Sequence, residues 1–314
     1  MNFEFATATQ ILFGNGQRRK LASAASQLGT RPMIVVGSNR DRAGALVETI
    51  RTAGMQPILF TVPGEPSVSR VSEGVALARE NRCDLFVGIG GGSVIDTAKA
   101  LAALIDNNEP IIRYLEVIGE GKPLSMPAAP CIAIPTTAGT GAEVTANAVL
   151  GSRKHRVKVS LRHKTMLPDM AIVDPELTYG MPSALTAATG LDALTQLLEA
   201  FVSPFSNPMT DLLCREGITR AARSLTRAVA NGTDAAARAE MALASLMSGM
   251  ALTNAKLGAV HGFAGPMGGL LEAPHGVLCA RLSRQRLQPL EHSVECRGSL
   301  PLEFALAPPG IAVL

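Results

Sequence analysis

LFVGIGGGSVIDTAK, Leu85 to Lys99, joins an apolar run to three consecutive glycines and a serine, then opens directly into a helical pattern. A strand feeding such a turn and a helix start is suited to holding a diphosphate. The first helical turn offers unpaired N–H donors and the positive end of its dipole, and glycines let the backbone approach phosphate oxygens. The run Gly88, Gly90, Gly91, Gly92, Ser93 departs from strict G-x-G-x-x-G spacing because Ser93 takes the place of the third glycine. A tight turn without a ligand is written in the same letters, so the surroundings must decide.

Around this stretch the chain alternates. Pro32–Gly37, Gln56–Val62, Asp84–Ile89, Ala129–Pro135 and Asp169–Asp174 read as buried strands, and Arg42–Ala53, Ser67–Asn81 and Ser93–Ile105 as helices. Short apolar runs separated by helical periods predict βαβ units and a parallel sheet. Tyr179, Gly180 and Pro182 break the pattern. Beyond them Leu185–Val202, Pro208–Val229 and Asp234–Asn254 carry apolar residues at helical spacing. The expected organisation is a dinucleotide-binding α/β domain over 1–180, an all-α domain over 181–282 and an irregular tail over 283–314. That tail, with Pro289, Pro301, Pro308 and Pro309, keeps neither the helical nor the strand period. It is either a coil-like extension or a stretch that replaces the domain's own continuation, as after a frameshift. Phe3–Phe13 is expected to form an edge strand, which invites pairing into a homodimer.

Composition narrows the function. With 314 residues, 47% of them apolar, the chain can bury a sizeable core. Its 29 basic and 26 acidic residues leave a formal charge of +3, and it has no Trp and only two Tyr. That combination argues against a nucleic-acid or membrane-surface partner. Five scattered cysteines without a C-x-x-C pair read as reduced thiols of a cytoplasmic protein, not as zinc ligands. MNFEFATATQ lacks the basic and apolar regions of a signal peptide.

Two further groups of residues carry chemistry. Pro135 to Glu143, PTTAGTGAE, follows a strand and is dense in hydroxyls, so Thr136, Thr137 and Thr140 would face the same crevice as the glycine turn. Thr140 and Glu143 equally spell a capping box for a following helix. Asp192 and Gln196 stand at i and i+4 on one helix face, and His261 and His275 lie far downstream in Gly-rich segments. An Asp with two His suits Fe²⁺ or Zn²⁺, although local hydrogen bonding inside a helical domain explains the same residues.

GGGSVIDTAKA, PTTAGTGAEVT, the DPELT run, GLDALTQLLEAFVSPFSNPMTDLLCREGI, HGFAGPMGG and APHG together resemble the iron-containing (group III) alcohol dehydrogenases over residues 1–282. The resemblance implies a dehydroquinate synthase-like architecture, with a metal in the cleft between its two domains. It also implies hydride transfer between NAD or NADP and a small alcohol or aldehyde. On that resemblance Gly90, Gly91, Gly92 and Ser93 hold the diphosphate, Thr136, Thr137 and Thr140 line the cofactor, and Lys158 reaches the nicotinamide ribose. Asp192, His261 and His275 act through the metal, with Gln196 in the fourth ligand position. The chain departs from the family pattern at Gln196 and Gly265, where histidines are usual. It departs again at Ser38, where Asp would select NAD, and Arg40 and Arg42 stand close enough to assist NADP. A maleylacetate reductase-like enzyme and a catalytically impaired, nucleotide-binding homologue are the competing readings.

Overall fold

A computed structural model describes residues 2–39, 41–271, 273 and 275–287. The chain runs β1 (Gln10–Phe13), α1 (Leu21–Leu28), β2 (Pro32–Gly37), α2 (Asp41–Thr52), β3 (Ile58–Val62), α3 (Val68–Glu80), β4 (Leu85–Gly90) and α4 (Gly92–Leu104). Then come β5 (Cys131–Pro135), β6 (Asn147–Ser152), β7 (Val157–Arg162) and β8 (Met170–Val173). The helices α5 (Ser183–Phe201), α6 (Pro208–Ala230), α7 (Ala235–Ala255), α8 (Ala259–Leu271) and α9 (His275–Leu287) follow.

Six strands form one parallel sheet in the order β1-β8-β5-β4-β2-β3. Successive side chains on a strand point to opposite faces, which explains why the central strands are apolar throughout. Met33, Val35 and Phe86 pack under α3 and α4, whereas Ile34, Val36, Leu85 and Val87 pack under α1 and α2. The connection leaving β2 goes to β3 on one side, and that leaving β4 goes to β5 on the other. The carboxyl ends of β2 and β4 therefore flank a topological switch point, where open α/β sheets leave a crevice for ligands. Gly90–Ser93 lies at that crevice.

The structure corrects several expectations. The N-terminal strand is confined to Gln10–Phe13, paired in parallel with Met170–Val173. The hairpin β6–β7 and the helix α1 have no counterpart in the sequence reading. VKVSLR does alternate apolar and polar residues, but its one-sided burial hid it among the fully apolar strands. Regular structure does not stop at Ser283: α9 continues to Leu287. The rest of the supposed tail lies outside the described residues, as does Arg40.

Lys99 braces the α/β part. It is fully buried on α4, 3.0 Å from Asp96 Oδ1. Its Nζ donates to Ala142 O at 2.9 Å, to Thr145 Oγ1 at 2.7 Å and to Asn147 O. It thus ties α4 to the segment after β5. Lys99→Met would remove the cation paired with Asp96 together with its bonds to Thr145 Oγ1 and Asn147 O, a loss of about 3–5 kcal/mol. Thermal melting of the variant should show a correspondingly lower Tm, and an unchanged melt would contradict the bracing role.

Candidate functional site

β4 ends at Gly90, and Gly91 is the N-cap of α4 without any side-chain cap. The N–H groups of Gly92 and Ser93 have no intrahelical acceptor. The glycines divide the labour. A Cβ on Gly90 would fall 2.6 Å from Val94 Cγ2, so this residue permits strand–helix packing. A Cβ on Gly92 would meet Thr140 Oγ1 at 2.8 Å, and one on Gly91 would meet Thr137 at 3.3 Å. The glycine turn and the threonine loop therefore face each other directly.

The loop also touches the helices. Gly141 has φ 60°, and a Cβ there would stand 2.5 Å from Gly249 Cα on α7. A Cβ on Gly139 would stand 2.6 Å from Thr189 Cβ on α5, one turn before Asp192. The expected capping box is absent: Gly141 caps a single 3-10 turn, Ala142–Val144, and Thr140 Oγ1 accepts from Ala142 N at 3.4 Å from outside it. That close approach leaves no room for a full helix. Thr136 is buried, and Thr137 and Thr140 are half-buried. Ser38 is exposed just past β2. Lys158 on β7 is nearly buried and pairs with Glu65 at 2.6 Å, beside Gly268 of α8.

At the far end of this line of contacts, Asp192, His261, His275 and Cys279 offer ligand atoms all within 4.8 Å of one another. Asp192 comes from α5, His261 from the first turn of α8, and His275 and Cys279 from one face of α9. The sequence reading set the cysteines aside as zinc ligands, but the structure brings Cys279 into this cluster. No motif spacing marks it, although its i, i+4 position after His275 was a visible signal. Gln196 is buried one turn beyond Asp192, and its Oε1 accepts from Ser248 Oγ at 2.8 Å.

Glu199 also escaped sequence reading. It stands two turns beyond Asp192 on α5, and Oε2 lies 2.6 Å from His261 Nδ1. Its Oε1 accepts from Val260 N at 2.6 Å. His261 Nε2 faces Asp192 Oδ1 at 3.2 Å, so one imidazole spans two carboxylates. A polar stripe of Asp192, Gln196 and Glu199 on an apolar helix was its sequence signal.

The charges follow this geometry. Burial opposes the His261 imidazolium, but hydrogen bonds to Asp192, Cys279 and Glu199 override it and raise its pKa. Burial alone would raise Asp192; the His261 hydrogen bond and the charges of His275 and His261 carry it below the usual carboxylate range. Glu199 is lowered against its own burial, chiefly by its bond to His261. Burial lowers His275 and raises Cys279. One carboxylate, two imidazoles and a thiol are a donor set that fits a divalent transition metal.

Comparison with known proteins agrees with this architecture. Residues 8–175 match the family described as iron-containing alcohol dehydrogenase. Residues 186–287 match the C-terminal part of the same family. The chain belongs to the iron-containing alcohol dehydrogenase family. It is 37% identical to 1,3-propanediol dehydrogenase of Klebsiella pneumoniae over 287 residues, which cover 89% of this chain and 73% of the relative. It is 36% identical to the NAD-dependent methanol dehydrogenase of Bacillus methanolicus over 281 residues, covering 88% of this chain and 72% of that protein. A crystal structure of 1,3-propanediol oxidoreductase superposes with a TM-score of 0.84 at 35% identity, covering 92% of this chain and 77% of that one.

Glu143, in the threonine loop, is 2% exposed, and burial pushes its pKa up to about 7, with the Lys99 charge opposing. The folded chain then holds this proton more tightly than the unfolded one. Its contribution to stability is full below about pH 4.5, falls as pH rises to 7, and is flat above that, a total of about 3 kcal/mol. Denaturant titrations of wild type and Glu143→Gln across this range should diverge with that slope. Parallel curves would contradict it.

Proposed function

We propose that the chain is a metal-dependent NAD(P)-linked alcohol dehydrogenase or aldehyde reductase acting on a small alcohol or aldehyde. One observation carries this reading: the loop from Thr136 to Gly141 touches the glycine turn through Thr137 and Thr140, and α5 beside Asp192 through Gly139. A nucleotide seated on the first element thus reaches the second. Gly90, Gly91, Gly92 and Ser93 bind the diphosphate through backbone N–H groups and the α4 dipole. Thr136, Thr137 and Thr140 supply hydroxyls along the cofactor. Lys158, held against α8 by Glu65, directs its ammonium towards the ribose. Asp192, His261 and His275 hold the metal, with the fourth place falling to Gln196 or Cys279.

A bound divalent cation polarises the substrate oxygen and stabilises the alkoxide. Glu199 orients His261 through Nδ1, so that Nε2 is presented to the cluster. The same reading divides the chain near residue 180 into a nucleotide domain and a helical domain. It includes a homodimer paired through β1, whose place at the sheet edge supports it. Free thiols at Cys83, Cys131 and Cys214 support a reducing, cytoplasmic setting, and no described helix is long and apolar enough to cross a membrane.

Asp192→Ala should bring metal content, measured by mass spectrometry on the purified chain, to background. Full metal content in that variant would reject the assignment. Ser38 stands where a carboxylate would accept from the ribose 2′-OH and repel a 2′-phosphate. Ser38→Asp should shift the ratio of kcat/KM for NAD over NADP upward by about tenfold or more, given the cost of opposing like charges. An unmoved ratio would place the ribose elsewhere.

A further inference from the structure

The four ligand atoms of the cluster all lie within 4.8 Å of one another, and four of their six separations fall between 3.2 and 3.8 Å. His261 Nε2 lies 3.2 Å from Asp192 Oδ1 and 3.7 Å from Cys279 Sγ. His275 Nε2 lies 3.8 Å from the same Asp192 oxygen and 3.5 Å from the same sulfur. Ligands about 2.0–2.3 Å from a tetrahedral zinc are separated by about 3.3–3.8 Å along each edge. The sulfur is therefore placed as well as either imidazole. Its helix supports this position, because Cys279 follows His275 by one turn of α9 and both project from one face.

Gln196 has a different engagement. Its Oε1 is turned to Ser248 Oγ at 2.8 Å, and Ser248 is held in turn by Ser245 O at 2.8 Å. That contact already engages the Gln196 amide, whereas Cys279 Sγ faces both imidazoles.

We propose that the Cys279 thiolate, not the Gln196 amide, is the fourth metal ligand, completing an Asp192–His261–His275–Cys279 centre that prefers Zn²⁺ to Fe²⁺. The inference rests on the reading of this cluster as a metal centre. On binding, the Cys279 S–H proton and the His261 Nε2 proton would pass to solvent as the sulfur–metal and nitrogen–metal bonds form, with no change in oxidation state. A thiolate beside two imidazoles and one carboxylate is a softer set than oxygen and nitrogen alone. It favours zinc, which also exceeds ferrous iron in general affinity.

The test is cobalt reconstitution of the metal-stripped full chain, read by absorption and by metal content. Wild type should bind one Co²⁺ and show a near-ultraviolet sulfur-to-cobalt charge-transfer band. Gln196→Ala should keep the band. Cys279→Ser should lose it and bind cobalt at least about tenfold more weakly, since loss of a ligand costs no less than loss of its supporting partner. Zn²⁺ should displace Fe²⁺ in anaerobic competition at equal concentrations. Stoichiometric cobalt without a sulfur band in wild type, or with a band that survives in Cys279→Ser, would overturn Cys279 ligation and leave the metal centre standing. So would loss of cobalt in Gln196→Ala but not in Cys279→Ser. Failure of wild type to bind any metal would overturn both readings. The wild-type spectrum decides even if a variant does not fold.

Discussion

The approach of Gly141 to Gly249 sets how near the helices come to the carboxyl edge of the sheet. A Cβ on Gly249 would fall 2.3 Å from Gly141 O, so neither residue can carry a side chain without pushing α7 away. Gly141 also needs its positive φ, which glycine adopts without steric cost. From this contact the threonine loop extends to the glycine turn on one side and to Thr189 on the other. Lys99 fixes the same segment from beneath, through Ala142 O and Thr145. Backbone proximity and one buried cation thus hold in register two sites that come from distant parts of the chain.

The sheet was legible because its strands are buried on both faces. Six-residue runs such as β2 and β4 need no alternation, and the helices between them show their period plainly. The β6–β7 hairpin was not legible for the opposite reason. It lies apart from the main sheet, its burial alternates, and Gly151 interrupts its first strand. α8 was hidden by composition: glycines and Pro266 inside a helix are disfavoured locally, and here Gly268 and Gly269 allow close packing on β7. For α9, polar residues obscured a helix that continues past Ser283.

The site was legible in parts. Asp192, His261 and His275 do converge, and the glycine turn and the threonines do meet. Their convergence was carried by resemblance, since separations of many tens of residues leave no local spacing to read. Glu199 and Cys279 were missed although each follows a marked residue at helical intervals. Glu199 acts on the cluster through His261, whereas Cys279 is itself a member of it. A residue seven positions beyond a candidate ligand on an apolar helix face deserves the same scrutiny as one four positions beyond. Thr140 and Glu143 mislead in the other direction: the letters of a capping box are present, but tertiary contact with α7 cuts the helix to a single turn.

The electrostatics of the cluster centre on His261. Asp192 and Glu199 are both lowered in pKa although both are removed from water, because His261 stands between them as a shared cation. An uncompensated pair of buried carboxylates would be costly; a carboxylate–imidazolium–carboxylate line is nearly neutral on its inner side. A divalent cation held at Nε2 would supply the positive charge beside Asp192 that the imidazolium supplies here. Glu199 keeps the Nδ1 proton and so preserves the ring's orientation. The helix α5 thus supplies a ligand from one turn and the support for another ligand two turns on. His261 therefore has the same neighbour on its far side whether or not the centre is filled.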